Sequence, residues 1–472
     1  MEMVEDRKKM HRQKKTEGMV TRKRMNGRTE RKRKVFFWNV TGLKNRRRPF
    51  LIVQGTDVTG QKHPNNYFIT IMHCIKGLIG TGIYAMGSAF SSSGMLLGPV
   101  SAVFVWFLSL HCQHILIKAC VKITDKEPVE VLPSFAETVE YTMEDSSSNW
   151  IKKLSRGSGI VTDVFLLIAQ YGYCVVYLVF VSRHIGEIAA AHGWEQNYRV
   201  ILVIVLIPMW ISALLGNLKL LLPFSMIANI VMWIGIVCIL YYSVQDLPDI
   251  SERDLVSHAE RLPVFFGIIL FAFAGITFII PVRSEMKNPE SFTKLFGELN
   301  MAMFVALIFS VLVGILAFWK WGDDVEGSAF LNLPQEDVLA QVTKILISIS
   351  VMFTYTLHMY VPFEILYPRF NRRFGPFKYP VLAMYLYRSA AVLMTYAMAN
   401  ISSNIALFIA LVGAGAGAVL NLLFPALLDL AMGYGELTVV VIIKDVFIII
   451  LAFAGGITGT VLSIIDIINE FE

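Results

Sequence analysis

Ten consecutive residues, His73-Cys74-Ile75-Lys76-Gly77-Leu78-Ile79-Gly80-Thr81-Gly82, set two proton-carrying side chains beside three glycines inside an apolar run long enough to cross a bilayer. Every backbone N–H and C=O in hydrocarbon must be bonded, and an unbroken helix does this internally. Glycines clustered this closely predict a local break, tolerated only where protein or trapped water satisfies the freed groups. The chemistry open to such a segment is reversible proton binding and solute coordination. His73, Lys76, Gly77 and Gly80 follow i, i+3, i+4, i+7 spacing and share one helix face up to the break. Lys76 at mid-membrane would cost about 2.5–3.5 kcal/mol unless it faced the bundle interior or snorkelled. His73 has an ordinary pKa of about 6.5 and can change charge near neutral pH. The competing reading, a neutral histidine bonded inside the bundle, is equally open on residue types alone.

A second interruption is expected at Phe271-Ala272-Phe273-Ala274-Gly275-Ile276-Thr277, with Pro281 following. It lies about as far into its span as the first cluster does, the arrangement of transporters built from inverted repeats with a discontinuous first helix in each. Unwound helix ends offer N–H groups and positive dipole ends to a carboxylate, and free carbonyls to an ammonium. Together they suit a zwitterion.

The elements that must position these breaks are membrane helices. Of the 472 residues, 55% are hydrophobic and 17% charged, with a mean hydropathy of +0.58. A hydrocarbon core of about 30 Å needs about 20 apolar residues at 1.5 Å each. By that measure there are eleven spans, near 66–93, 96–119, 160–182, 200–216, 223–243, 262–282, 298–319, 339–362, 380–399, 404–427 and 439–467. The expected fold class is therefore an all-α polytopic membrane protein with a 5+5 inverted-repeat core and one added helix. Residues 63–243 and 244–427 would form the repeats, and 428–472 the eleventh helix with a short extracytosolic C-terminus.

The net charge of +6 hides a basic tail, expected to be cytosolic and disordered over residues 1–62, with runs such as Arg31-Lys32-Arg33-Lys34. On a membrane protein such a tail fits anionic lipid, at about 1 kcal/mol per basic residue near the surface, rather than nucleic acid. No apolar segment precedes residue 66, so the first span is expected to act as an internal signal anchor. Cations in the loops at 120–159, 283–297 and 363–379 agree with a cytosolic N-terminus. The five cysteines all fall in or beside apolar runs and give no disulfide framework.

Ser134 and Glu137 have capping-box spacing and predict a helix lying on the cytosolic face. Gly413 and Gly417 have the spacing of a close helix-packing motif. His111, His114, Asp163, His358, Glu364 and Arg388 are read as structural or interfacial. Catalytic motifs and Cys/His metal spacings are missing, so neither an enzyme nor a cofactor or metal site is expected.

Several ordered motifs carry a family resemblance: HCIKGLIGTG at 73–82, GMLLGP at 94–99, DVFLLIAQYGYCVVY at 163–177, FAFAGITFIIPVRSEMKNP at 271–289, GSAFLNLP at 327–334, FTYTLHMYVPFE at 353–364 and Lys444-Asp445. From about residue 60 to 467 the chain resembles the proton-coupled amino acid transporters, solute carrier family 36. The resemblance implies a fold of the amino acid/polyamine/organocation type and sodium-independent symport of small neutral amino acids with protons, at the plasma membrane or in endosomes and lysosomes. It gives His73 the proton-coupling role. Gly77, Gly80, Thr81 and Gly82 match the substrate-facing break, and Phe273, Ala274, Gly275 and Thr277 lie in the second.

The chain departs from that pattern at the same place. Leu78 stands where KGNIGTG has asparagine, Ala274 where FEG has glutamate, Arg283 where PLEN has its acid, and Gly87 where a proline is usual. Loss of two carboxylates implies a cargo unlike the glycine, alanine and proline type. A rival class is a transport-poor amino acid sensor that signals through its basic tail.

Overall fold

The computed structural model describes residues 52–53, 67–78, 80–126, 131–214, 218–435 and 437–470. Of the tail expected over residues 1–62, only Ile52–Val53 falls among them, and Ile79 in the first glycine cluster also lies outside the described residues. Ile52–Val53 (β1) pairs antiparallel with Val131–Leu132 (β2), which puts a piece of the expected disordered tail into a two-stranded contact. All other regular structure among the described residues is helical.

Helix α1 (Tyr67–Leu78) gives way to a 3-10 turn (Thr81–Ala85) that runs into α2 (Met86–Ser93). Then come α3 (Leu97–Lys126), α4 (Phe135–Asp145), α5 (Asn149–Ala191), α6 (Tyr198–Leu214) and α7 (Leu218–Ser243). The second half repeats the broken opening with α8 (Leu262–Ala272) and α9 (Ile276–Ser284), followed by α10 (Glu298–Trp321), α11 (Val338–Phe374) and α12 (Pro380–Ala399). Helix α13 (Ile405–Val412) passes through two π-helical turns, Gly413–Gly417 and Val419–Leu423, into α14 (Phe424–Met432), and α15 (Val439–Asn469) closes the described chain.

Among the described residues, eight helical stretches are long and apolar enough to cross a membrane, or nine when α1 and the helix at Thr81–Ser93, bent by 50°, count as one. The remaining expected spans fall on two shorter apolar helices, Tyr198–Leu214 and Ile227–Ser243. Helices α5 and α11, at 43 and 37 residues, overrun the spans expected for them. Their polar extensions stay helical because each finds a packing partner. The N-terminal part of α5 lies against α4, and the C-terminal part of α11 packs Tyr367 and Phe370 on Tyr387 of α12 and pairs Arg369 with Asp163 of α5.

The capping box at α4 forms as its spacing predicts: Ser134 Oγ accepts from Glu137 N–H at 3.3 Å, and Glu137 Oε2 accepts from Ser134 N–H at 2.9 Å. The helix does more than lie on a surface. Phe135, Val139 and Met143, spaced one turn apart, are buried against α5 and α14.

Close backbone approach explains Gly413 of the tenth expected span, whereas a Cβ on Gly417 would stand 3.9 Å from Leu270 Cβ, an ordinary contact. A Cβ on Gly413 would overlap the carbonyl oxygen of Gly267 in α8, and one on Gly267 would overlap that of Ala410. The π-helical turn starts at this contact, where the widened helix meets the broken span. Helix α15 is fixed by an ionic cluster: Lys444 Nζ lies 2.7 Å from Asp429, 3.0 Å from Asp445 and 2.9 Å from His111 Nε2 on α3.

The glycine contact can be tested within one segment. Gly413→Ala drives its methyl into backbone and is expected to cost at least about 1–3 kcal/mol, seen as loss of folded protein in detergent size-exclusion and thermal unfolding. Gly415→Ala, whose methyl would stand 3.5 Å from Thr460 Oγ1, is expected to be tolerated. Equal behaviour of the two variants would refute this account of the packing.

Candidate functional site

The two interruptions lie where the glycines place them and pack against each other. Helix α1 stops at Leu78, and Gly80, in an extended conformation, opens the 3-10 turn. Helix α8 stops at Ala272, and α9 restarts at Ile276 with Gly275 as its N-cap. A Cβ on Gly82 would come 2.8 Å from Ala272 Cα, and one on Gly275 would overlap the Leu78 side chain. Leu78 and Gly275 therefore fit as a knob and a gap.

Freed backbone groups find side-chain partners. The Phe273 carbonyl accepts from Gln113 Nε2 of α3 at 3.5 Å. At the breaks, Ile83 N–H donates to the Gly80 carbonyl at 3.4 Å, Gly275 N–H to the Phe273 carbonyl at 2.9 Å and Phe278 N–H to the Gly275 carbonyl at 3.0 Å. Thr81 Oγ1 and Thr277 Oγ1 are buried, with no hydrogen-bond partner among the described residues.

A cavity of about 60 Å³ opens beside the breaks. Lys76, Gly77, Leu78, Gly80 and Thr81 line it from the first, and Phe271, Ala274 and Phe278 from the second. Helix α5 contributes Tyr173 and Tyr177, α7 contributes Ala228, Asn229 and Met232, and α11 contributes Ile347, Ser350, Val351, Thr354 and His358. Among the described residues, the lining contains one ammonium group, one imidazole and three aromatic rings around that imidazole, but no carboxylate. Asn229 Nδ2 donates to the Met72 carbonyl at 3.3 Å, while its Oδ1 is buried and without a partner among the described residues.

Of the residues chosen from sequence, Gly77, Gly80, Thr81 and Ala274 reach the cavity wall. Gly82, Phe273, Gly275 and Thr277 sit behind it and shape the breaks. His73 is half-buried one turn before Lys76, whose charge acts on it, and is not part of the wall.

The imidazole at the cavity belongs to His358, which sequence reasoning had assigned to structure or an interface. Its Nδ1 is 2.7 Å from Gln170 Oε1 and its Nε2 is 3.2 Å from the Tyr177 hydroxyl. The missed signal was tertiary. Gln170, Tyr173 and Tyr177 lie on one face of α5, at i, i+3 and i+7, and meet His358 only because α5 and α11 run side by side.

The same two helices carry ion pairs beyond the cavity in both directions. Lys344 Nζ lies 2.8 Å from Glu187 Oε2 at one end, and Arg369 pairs with Asp163 at the other. Asp163 and Glu187 are about 36 Å apart along α5 at 1.5 Å per residue, close to the thickness of a bilayer core. Of the other residues read as structural, His114 Nε2 lies 2.6 Å from Asn300 Oδ1, and Arg388 is stacked over Phe363 at 4.1 Å and donates to the Ala213 carbonyl.

Fold and site together define a multispanning membrane protein with a solute-sized chamber between two discontinuous helices. A family model described as transmembrane amino acid transporter protein matches residues 63–465, and the chain belongs to that family. It is accordingly a membrane protein for amino acid transport and not an enzyme. The chain is 31% identical over 415 residues to the "Proton-coupled amino acid transporter-like protein pathetic" of Drosophila melanogaster, covering 87% of each chain. It is 23% identical over 362 residues to the "Probable amino acid transporter skat-1" of Caenorhabditis elegans, covering 75% of this chain and 78% of that one. Among solved structures it is similar to MHP1, a nucleobase-cation-symport-1 family transporter in a closed conformation (13% identity, TM-score 0.48, 87% of this chain and 93% of that one). A manganese transporter of Eremococcus coleocola is also similar (12% identity, TM-score 0.47, 88% and 90%).

The contact between Leu78 and Gly275 makes a reciprocal prediction. Gly275→Ala should depress amino acid uptake by displacing Leu78, and Leu78→Ala in the same chain should restore it, with a coupling of about 0.5–3 kcal/mol in a double-mutant cycle. Additive losses would show that the two residues do not share this space.

Proposed function

We propose that this protein is a secondary-active carrier of small zwitterionic amino acids, driven by protons and independent of sodium, with its binding site in the cavity between the α1 and α8–α9 breaks. The observation that carries the reading is the composition of that wall: helix ends from both breaks, the Lys76 ammonium and the His358 imidazole, with no carboxylate among its lining residues. A substrate carboxylate is then held by Lys76 and by the positive helix N-termini that follow the breaks. The substrate ammonium is left to the carbonyl ends of α1 and α8 and to aromatic faces.

Ala274 and Leu78 make the chamber more apolar than a glutamate and an asparagine would. A cation such as lysine or arginine would face Lys76 with no acid on the wall to offset it. The resemblance assigns proton coupling to His73, which stands one turn from Lys76 on the same helix. The reading places the protein in the plasma membrane or the endosomal and lysosomal membranes, with its N-terminus cytosolic and the basic tail against anionic lipid.

Uptake of labelled L-amino acids into cells or proteoliposomes, at external pH values about one unit either side of an ordinary histidine pKa of about 6.5, tests this. Neutral amino acids should enter faster at the acid pH, unchanged when sodium is replaced, and lysine and arginine should be excluded. Sodium-dependent uptake, or no uptake of any amino acid at either pH, would overturn the proposal.

A further inference from the structure

We infer that His358 is the residue at which a proton and the substrate meet, its imidazole acting as a proton-dependent anchor for the substrate carboxylate. The inference rests on the transport reading above and adds to it a titrating group in the wall of the site itself.

His358 is 7% exposed, and what exposure it has is toward the cavity. Its two nitrogens are held by different partners. Gln170, itself 1% exposed, presents Oε1 to Nδ1 at 2.7 Å, so Nδ1 carries the hydrogen. The lone pair is thereby left on Nε2, which accepts from the Tyr177 hydroxyl at 3.2 Å. Tyr177 connects this pair to the first break, since a Cβ on Gly80 would stand 3.7 Å from its hydroxyl oxygen. The neutral ring thus keeps its one basic nitrogen beside the break and capped by a hydroxyl that can rotate away.

The surroundings leave that nitrogen as the proton's landing place. From α5, the titratable groups facing the ring are Tyr173 and Tyr177, with Cys174 directed to the Tyr355 carbonyl. From α1, Lys76 lines the same cavity. Helix α9 offers only the Phe278 ring, edge-on at 5.2 Å. The nearest polar contacts of α6 and α12 are turned elsewhere: Ser212 bonds Thr356, Thr395 bonds Tyr355, and Arg388 covers Phe363.

Protonating Nε2 creates a second N–H donor, opposite the one already given to Gln170. It also sets a second cation beside Lys76 in one small chamber, whose described lining residues include no acid. A carboxylate arriving between them relieves their repulsion and accepts from both, so proton and substrate each strengthen the binding of the other. The proton comes from the medium on the side where the cavity is open and leaves from Nε2 when the substrate leaves, with no covalent step.

The test uses the full chain and whichever proteinogenic L-amino acid the wild type takes up fastest. His358→Gln keeps a side chain able to bond Gln170 and Tyr177 but cannot titrate. The ratio of its uptake at acid pH to that at neutral pH, taken within the variant, is expected to fall to about one, a loss of about fivefold or more if the coupling is of ordinary size. Tyr177→Phe removes the hydrogen bond that favours the neutral ring and should move the midpoint of the pH profile upward. A merely structural histidine would give no such shift.

Retention of wild-type acid stimulation by His358→Gln would overturn the inference and leave proton-coupled transport standing. An unmoved midpoint in Tyr177→Phe would overturn it as well, including where His358→Gln does not fold. Absence of acid-stimulated uptake in the wild type would bring down the transport reading and this inference together.

Discussion

The structure depends on one constraint: a polypeptide backbone crossing an apolar slab cannot leave its polar groups unbonded. Breaking a helix at such depth is possible only where something else receives the freed groups. Here each break is supported by its surroundings. Gln113 donates to the Phe273 carbonyl, and the Tyr177 hydroxyl stands beside Gly80. Close contact between the breaks themselves, Gly82 on Ala272 and Leu78 against Gly275, excludes most of the volume between them. What remains is a chamber of about 60 Å³, walled by helix ends and a few polar side chains.

Around that chamber α5 and α11 act as a frame. They run alongside each other, supply Tyr177 and His358 near the middle, and are tied by Lys344–Glu187 and Arg369–Asp163 toward the ends. Buried ion pairs of this kind add little net stability, because desolvation offsets most of their attraction, but breaking one is costly. Two pairs at opposite ends of one helix pair let the frame be held at either side of the chamber independently. The close contact of Gly413 with Gly267 holds α8 against the π-helical turn.

Much of the frame was legible in the sequence because membranes impose simple lengths and periods. Apolar runs of about 20 residues located the helices, and glycine clusters located both breaks to within a few residues. The Ser134–Glu137 capping box formed as its spacing predicted, and of the Gly413 and Gly417 pair only Gly413 makes the close contact its type predicted. The cavity wall was only half legible. Gly77, Gly80, Thr81 and Ala274 could be found because they are local to a break. His358, Gln170, Tyr177, Asn229 and Gln113 are scattered over four other helices, and no spacing within one segment brings them together. His73 lies on the right helix but a turn short of the wall, since the α1 break begins only at Leu78. Helix ends were misjudged where polar extensions found partners, as at the start of α5, because hydropathy reports the slab and not the packing beyond it.

The central claim is that the solute binds in the chamber between the two breaks. Thr354 lines it, and the five native cysteines are buried, so Thr354→Cys supplies a reporter thiol against a quiet background. Alkylation of that thiol by a small permeant maleimide should be slowed by a transported amino acid, with half-protection at the concentration that half-saturates uptake. Labelling at an unchanged rate in the presence of saturating substrate would contradict the account, because the solute would then be crossing the protein by some other route.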